Sequence, residues 1–314
     1  MLTFDKLKIV SKIENIEICN HEVFEQTIKN NNVASLKYKH INPCALYIEI
    51  DYLENELVIE FSGKILGRAY KKLISKETIK ECFENINNIG VCLLDTEAIM
   101  EDAVVVKCDV TCDVPCDDVA KVTAFIRGNI SNYNQYTAKR LRNGNFIVEK
   151  NVTTRQYKKR LTIYDKDKEM RKNENMRFMR DYGMASNAFE NLCRFEMNLN
   201  SQAQIRSALN VPDTMLLTVL NAEASPIEDF MYEVVADNLN GTEPTDRTAY
   251  ITELVLRDCG YDLAAVEAKM RTFYAKGTNL SKVMKPYREA LAKTNTQGFN
   301  KDDLLQMLQN RTDA

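Results

Sequence analysis

With 314 residues, 45% of them apolar and 28% charged, the chain is long enough for one large domain or two ordinary ones around a real core. A formal net charge of −3 excludes a protein that coats nucleic acid indiscriminately, and no run approaches the eighteen apolar residues of a membrane span. Nine cysteines, an odd number, accompany an N-terminal stretch, MLTFDKLKIVSKIENIEICN, that carries charge throughout and lacks the apolar block of an export signal. Together they point to reduced thiols and a cytoplasmic protein without a membrane partner.

Short strands alternate with helices over the first two-thirds of the chain. ALYIEID (45–51) and ELVIEFS (56–62) alternate apolar and polar residues around Glu54-Asn55, the pattern of a hairpin. SKETIKECFENINNIG (75–90) repeats apolar residues at helical spacing, with Ser75 ahead of it and Gly90 at its end. AVVVKCDVTCDV (103–114) is a β-branched strand, and a helix follows over about 117–130. Asn143-Gly144 marks a turn between that helix and the two strands NFIVEK and RLTIYD, and NLCRFEMNL (191–199) is a further strand. Beyond Ser201 the signals are almost all helical, punctuated by Pro212, Pro226, Pro244, Gly260, Gly277 and Pro286. The expectation is an α+β fold: a mostly antiparallel central sheet with flanking helices over 1–200, and a helical C-terminal lobe over 201–314.

Period-two alternation assigns faces. In 103–113, Val104, Val106, Cys108, Val110 and Cys112 fall on one side, and Lys107, Asp109, Thr111 and Asp113 on the other. Cys193, Phe195, Met197 and Leu199 oppose Arg194, Glu196 and Asn198, while Leu161 and Ile163 oppose Arg160, Thr162 and Tyr164. If these strands are neighbours, Asp109, Glu196 and Tyr164 converge on one polar face. Two carboxylates with water suit Mg²⁺ or Mn²⁺, which prefer oxygen ligands. A cation, either the metal or Lys166, would favour a phenolate on Tyr164, whose ordinary pKa of about 10 makes it a weak nucleophile at neutral pH. A half-exposed sheet with one wet side gives the same alternation, so the pattern leaves an ordinary solvated face open as well.

Other constellations are weaker. His21 and His40 form no metal pair, and Cys108-x₃-Cys112-x₃-Cys116 places its first two thiols on the apolar face. SGKILG (62–67) is too short for a phosphate-binding loop and no GxGxxG is present, which predicts no nucleotide cofactor. Tyr133, Tyr136 and Tyr157 lack a carboxylate and a lysine close behind them. Lys139, Arg140, Arg142, Lys150, Arg155, Lys158, Lys159 and Arg160 stand against only Glu149, a basic segment that reads either as a track for a DNA backbone or as a solvated loop.

The order of these motifs resembles the rolling-circle replication initiators of filamentous phages and related plasmids, the gene II/X protein family, over about residues 55–210. ELVIEFSGKIL is similar to the family's early strand, VVKCDVTCDV to its aspartate-bearing strand, RLTIYDKDKEM to its catalytic-tyrosine segment and LCRFEMNL to its Arg-Phe-Glu strand. YITELVLRDCGYDLAAVEAKM resembles a helical element near the family's end. The resemblance implies a metal-dependent nicking-closing enzyme that acts on single-stranded or supercoiled DNA at a replication origin. Tyr164 would become joined to the 5′-phosphate and leave a 3′-OH primer for a host helicase and polymerase in the bacterial cytoplasm. It assigns Tyr164 and Lys166 to catalysis, Asp109, Glu196 and Glu169 to the metal, and Lys139, Arg140, Arg142, Arg155, Lys158, Lys159 and Arg160 to DNA. A relaxase of conjugative mobilisation, a non-catalytic origin-binding control protein and a metal-dependent nuclease remain as alternatives.

Overall fold

The computed structural model describes residues 2–40, 44–132, 134–152, 159–236, 246–259, 262–294 and 299–310. In chain order the strands are β1 (Phe4–Lys12), β2 (Ile16–Ile18), β3 (Glu25–Lys29), β4 (Asn32–His40), β5 (Leu46–Asp51), β6 (Glu56–Ser62), β7 (Cys92–Leu94), β8 (Val104–Pro115), β9 (Tyr136–Arg140), β10 (Phe146–Lys150), β11 (Arg160–Asp165) and β12 (Leu192–Leu199). The helices are α1 (Ile79–Asn87), α2 (Thr96–Asp102), α3 (Val119–Gly128), α4 (Lys166–Met170), α5 (Asn173–Asp181), α6 (Gln202–Leu209), α7 (Leu216–Leu220), α8 (Pro226–Val234), α9 (Arg247–Asp258), α10 (Leu263–Arg271), α11 (Ser281–Thr294) and α12 (Lys301–Gln309). Ten strands form one sheet in the order β3-β4-β5-β6-β1-β8-β12-β11-β10-β9, with every pairing antiparallel, and β2 pairs with β7 separately. The fold is α+β, with a mostly antiparallel sheet and helices around it.

One face of the sheet is the core. Leu7 and Ile9 of β1, Ile48 and Ile50 of β5, Leu57, Ile59 and Phe61 of β6, and Phe195, Met197 and Leu199 of β12 are buried there. Against them lie Ile79, Cys82, Phe83 and Ile86, the i, i+3, i+4 and i+7 stripe of α1, with apolar residues of α2, α3, α6, α7, α8 and α12. The helices after residue 201 thus fall into two groups. Those of 202–234 and 301–309 share the sheet's core, whereas α9, α10 and α11 close around Leu256, Val266, Leu280, Met284 and Leu291.

Two bulges interrupt the strict alternation. The register between β1 and β8 shifts between Phe4 and Lys6, and again between Lys8 and Ile9, where Val105 faces Ile9. Strict alternation puts Val104 and Val106 in the core; the second shift instead buries Val105 completely and leaves Val104 and Val106 half-buried. The first shift turns both Asp5 and Lys6 toward the polar face. An extra residue in one strand flips the side on which its neighbours emerge, which is why bulges serve to re-aim side chains beside sites.

Part of the polar face is covered. A 3₁₀ segment, Gly63–Lys72, carries Tyr70 over it, and Tyr70 packs with Leu73, Met170, Phe178, Met179, Phe189 and Leu192 in a small second core. The segment kinks at Gly67, where φ is +56° and a Cβ would lie 2.5 Å from the Tyr182 ring. Only glycine meets both conditions at low cost. Gly67→Ala is expected to destabilise the protein by on the order of 1–3 kcal/mol, read as a lower urea midpoint; an unchanged midpoint would show that the segment is not held this way.

Candidate active site

The three strands bearing the candidate residues are direct neighbours, in the order β8-β12-β11. Cross-strand register sets their polar residues in rows: Tyr164, Arg194 and Asp113; then Thr162, Glu196 and Thr111; then Asn198, Asp109 and Lys6. Asp109, Glu196 and Tyr164 therefore share one face, as alternation anticipates.

Arg194 is fully buried at the centre of this face. Its Nε and one terminal nitrogen donate to the two oxygens of Asp113, both at 2.7 Å, and its other nitrogen donates to Asp5 Oδ1 at 2.6 Å and Tyr70 Oη at 3.0 Å. Tyr70 in turn donates to Asp5 Oδ1 at 2.9 Å and accepts from Lys166 Nζ, also at 2.9 Å. Burial alone would raise the Asp5 carboxyl, but Arg194 and then Lys166 outweigh it and hold the group below the ordinary carboxylate value. A buried guanidinium is tolerated only when its donors are met, and here a bidentate carboxylate, a second carboxylate and a phenol meet them.

Tyr164 lies half-buried at the end of β11 and donates its hydroxyl to Glu196 Oε2 at 3.1 Å. The other oxygen, Oε1, accepts from Asn198 Nδ2 at 3.3 Å, and the same amide donates to Asp109 Oδ1 at 2.7 Å. Burial, followed by the charges of Asp5 and Asp109, pushes the Glu196 carboxyl up to about 7. Asp109 is also raised, mainly by its burial. The Tyr164 phenol is pushed well above its ordinary value by burial and by Glu196, against the opposing charge of Arg194. In this state Tyr164 is a protonated phenol with a carboxyl that titrates near neutrality in hydrogen-bond reach.

Lys166 opens α4 and is buried. Its Nζ lies over the Tyr164 ring, 5.8 Å from the centroid, while its hydrogen bonds go to Tyr70 and, at 2.7 Å, to Glu169 Oε2. Lys166 thus places positive charge against the Tyr164 ring, while its hydrogen bonds go elsewhere. A cavity of about 260 Å³ opens here, lined by Tyr164, Tyr70, Lys166, Lys64, Glu169 and Asn175 among others.

Glu169 does not join Asp109 and Glu196. The short α4 turns its carboxylate onto Lys166, and Asn175 Nδ2 donates to it at 2.5 Å. The basic set also divides by strand parity. Lys139 and Arg160 emerge on the polar face, and Lys139 pairs with Glu149 at 2.7 Å. Arg140 points to the helical side, donating to Thr123 on α3, and Lys159 lies on that side too, 3.6 Å from Glu233 on α8. Neither faces Tyr164. Arg142 is exposed in the turn after β9, and Arg155 and Lys158 lie outside the described residues, as do Tyr133 and Tyr157. Tyr136 is buried against Phe230 and donates to Glu233. Asp5 and Tyr70 escape a reading by spacing because a bulge and a 3₁₀ kink deliver them. Arg194, Asp113 and Asn198 were placed on the correct face by alternation.

The donor chemistry around Asp109 and Glu196 fits a hard divalent cation: two raised carboxyls of neighbouring strands, bridged by a single amide. Among the described residues, no set of three or more His, Cys, Asp or Glu side chains is arranged to hold a metal ion.

No protein-family model and no curated protein matches the chain. Among solved structures it is similar to that titled "Structure of Rolling Circle Replication Initiator Protein from Geobacillus stearothermophilus", at 12% sequence identity and a TM-score of 0.35, over 78% of this chain and 89% of that one. Among the described residues no helix is long and apolar enough to cross a membrane.

Arg194→Met is expected to cost about 3–5 kcal/mol, because Asp113 and Asp5 lose the charge that compensates them in the interior; a loss below about 1 kcal/mol in a urea titration would remove Arg194 from this role. Glu196 gives a pH signature. Its folded carboxyl keeps a proton that the unfolded chain releases at the ordinary carboxylate value. That stabilisation is fully present at lower pH and is lost as pH rises through about 7. The thermal midpoint of wild type minus that of Glu196→Gln should therefore decline between pH 5 and pH 8. A flat difference would mean the carboxyl is not raised.

Proposed function

We propose that the protein is a site-specific DNA nicking-closing enzyme that initiates rolling-circle replication. The observation that carries this reading is the phenol of Tyr164, at the mouth of a polar cavity, donating to a carboxyl poised near neutrality on the adjacent strand. The motif order of the sequence supports the same chemistry.

In this mechanism Tyr164 Oη attacks the phosphorus of one phosphodiester as Glu196 Oε2 takes its proton. The bond to the 3′-oxygen breaks, and that oxygen leaves as the 3′-OH after gaining a proton from solvent. A tyrosyl 5′-phosphate ester takes the place of the broken bond, so no energy source is consumed. The reverse attack by a 3′-OH reseals a strand and returns the proton to Tyr164. Lys166 and Arg194 hold positive charge beside the phenol as its own charge develops. Asp109 and Glu196 would hold Mg²⁺ or Mn²⁺, which when bound supplies Lewis-acid polarisation of the phosphate. Asn198 keeps the two carboxyls in one orientation.

The test is to incubate the protein with supercoiled DNA of its own replicon and Mn²⁺, then search digests for a nucleotide-bearing tyrosine peptide. An adduct on Tyr164, absent from Tyr164→Phe and suppressed by EDTA, is the expected result, with nicking in the variant reduced by 10³-fold or more on the order typical of a lost nucleophile. Nicking by Tyr164→Phe at wild-type rate, without an adduct, would replace this reading with a hydrolytic nuclease. Binding without cleavage would replace it with a control protein, and an adduct formed only at a transfer site would place the chemistry in mobilisation.

A further inference from the structure

The polar face does not end at Asp109. Beyond it, β1, β6, β5 and β4 continue the same open surface, and one cross-strand row reads Lys107, Lys8, Glu60, Tyr47, Lys39. The row on its Asp109 side brings Lys6, and the row on its other side brings Lys37 and Glu49. Five lysines thus share this stretch with two glutamates. Lys6 pairs with Glu60, and Lys37 lies 3.1 Å from Glu49. Lys8, Lys39 and Lys107 have no ion-pair partner among the described residues; Glu60 is lowered by Lys6 first, with Lys107 and Lys8 adding to it, against its burial.

The pairing of Lys8 with Lys107 is the informative feature. These residues lie directly opposite one another on adjacent strands. Like charges in that relation repel across the sheet, and the carboxylate that both lysines attract, Glu60, is already paired with Lys6. Lys107 lies in the same register as Asp109, ahead of the β8 bulge, so the two emerge on one face. A flat, lysine-bearing sheet surface that runs into the row of Asp109 is the complement of a polyanion arriving at the site.

We propose that the open face of β8, β1, β6, β5 and β4 is the surface that holds the DNA backbone leading to Tyr164, with Lys8 and Lys107 as phosphate contacts nearest the site; this rests on the nucleic-acid reading above. The row from Lys107 to Lys39 crosses four inter-strand gaps of about 4.8 Å each, roughly 19 Å. At about 3.4 Å per nucleotide of one strand, that length matches five or six phosphates. The contacts carry no base edges, so this surface supplies affinity and direction and leaves sequence choice to other residues.

The experiment is DNA binding across a salt series, with the full chain and the double variant Lys8→Gln/Lys107→Gln. Each lost phosphate contact should reduce the slope of log affinity against log salt by about 0.7–0.9, so the double variant should lose between one and two units. Its thermal midpoint should stay close to that of wild type, because the repulsion between the two lysines and their attraction to Glu60 are removed together. A control pair, Lys80→Gln/Lys121→Gln on α1 and α3, should keep the wild-type slope. An unchanged slope in the Lys8/Lys107 variant, or an equal fall in the control, overturns the assignment of this surface. Failure of wild type to bind any DNA overturns the nucleic-acid reading itself.

Discussion

Everything at the site depends on one buried charge. Arg194 has no water to turn to, so its guanidinium must find carboxylates, and it finds them on two other strands. Asp113 comes from β8, paired directly with β12, whereas Asp5 comes from β1, one strand further away. That reach is possible because β1 bulges at Asp5 and because Tyr70 arrives from the 3₁₀ segment to complete the coordination. A fork of fixed donors demands fixed acceptors. The registers of three strands and the kink at Gly67 are thereby coupled to one side chain.

This arrangement leaves Tyr164 available. Its cross-strand neighbour is Arg194, yet the guanidinium is saturated by Asp113, Asp5 and Tyr70, so the phenol turns to Glu196 instead. Lys166 is likewise occupied by Tyr70 and Glu169, and contributes its charge through the Tyr164 ring. The two tyrosines are separated by environment. Tyr70 is buried, with its oxygen shared among Asp5, Arg194 and Lys166, which suits an organiser of the network. Among the described residues Tyr164 has Glu196 as the partner for its hydroxyl, and it lines the cavity.

Much of this was legible in the sequence where local pattern sufficed. Strict alternation in NLCRFEMNL and RLTIYD put Glu196, Arg194 and Tyr164 on one face, and the helical spacing in 75–90 marked the core stripe of α1. Where the pattern misled, a non-local cause is visible. Val104 and Val106 were assigned to the core because a bulge has no reliable signature in a run of valines. Arg140 and Lys159 were grouped with Arg160 by proximity in the chain, although parity sends them to the opposite face and onto Thr123 and Glu233. Asp5 and Tyr70 lie 189 and 124 residues from Arg194, and no spacing rule connects positions so distant. Glu169 resembles a metal ligand by composition, but i, i+3 geometry on α4 delivers it to Lys166.

On the proposed function, the charge layout lets an acidic chain serve a polyanion. Near Tyr164 burial, with repulsion from Asp5 and Asp109 added to it, raises Glu196 to about 7. A phosphate approaching that cluster unaided meets repulsion, so attraction has to be supplied at its border and charge neutralised within it. On the proposed reading the lysines of β1, β4 and β8 provide the first, through a field that extends about a Debye length, roughly 8 Å at physiological salt. On the same reading a cation held by Asp109 and Glu196 would provide the second. The net charge of −3 is consistent with both requirements, because affinity for DNA is set by the sign of the face it meets and not by the sum over the chain.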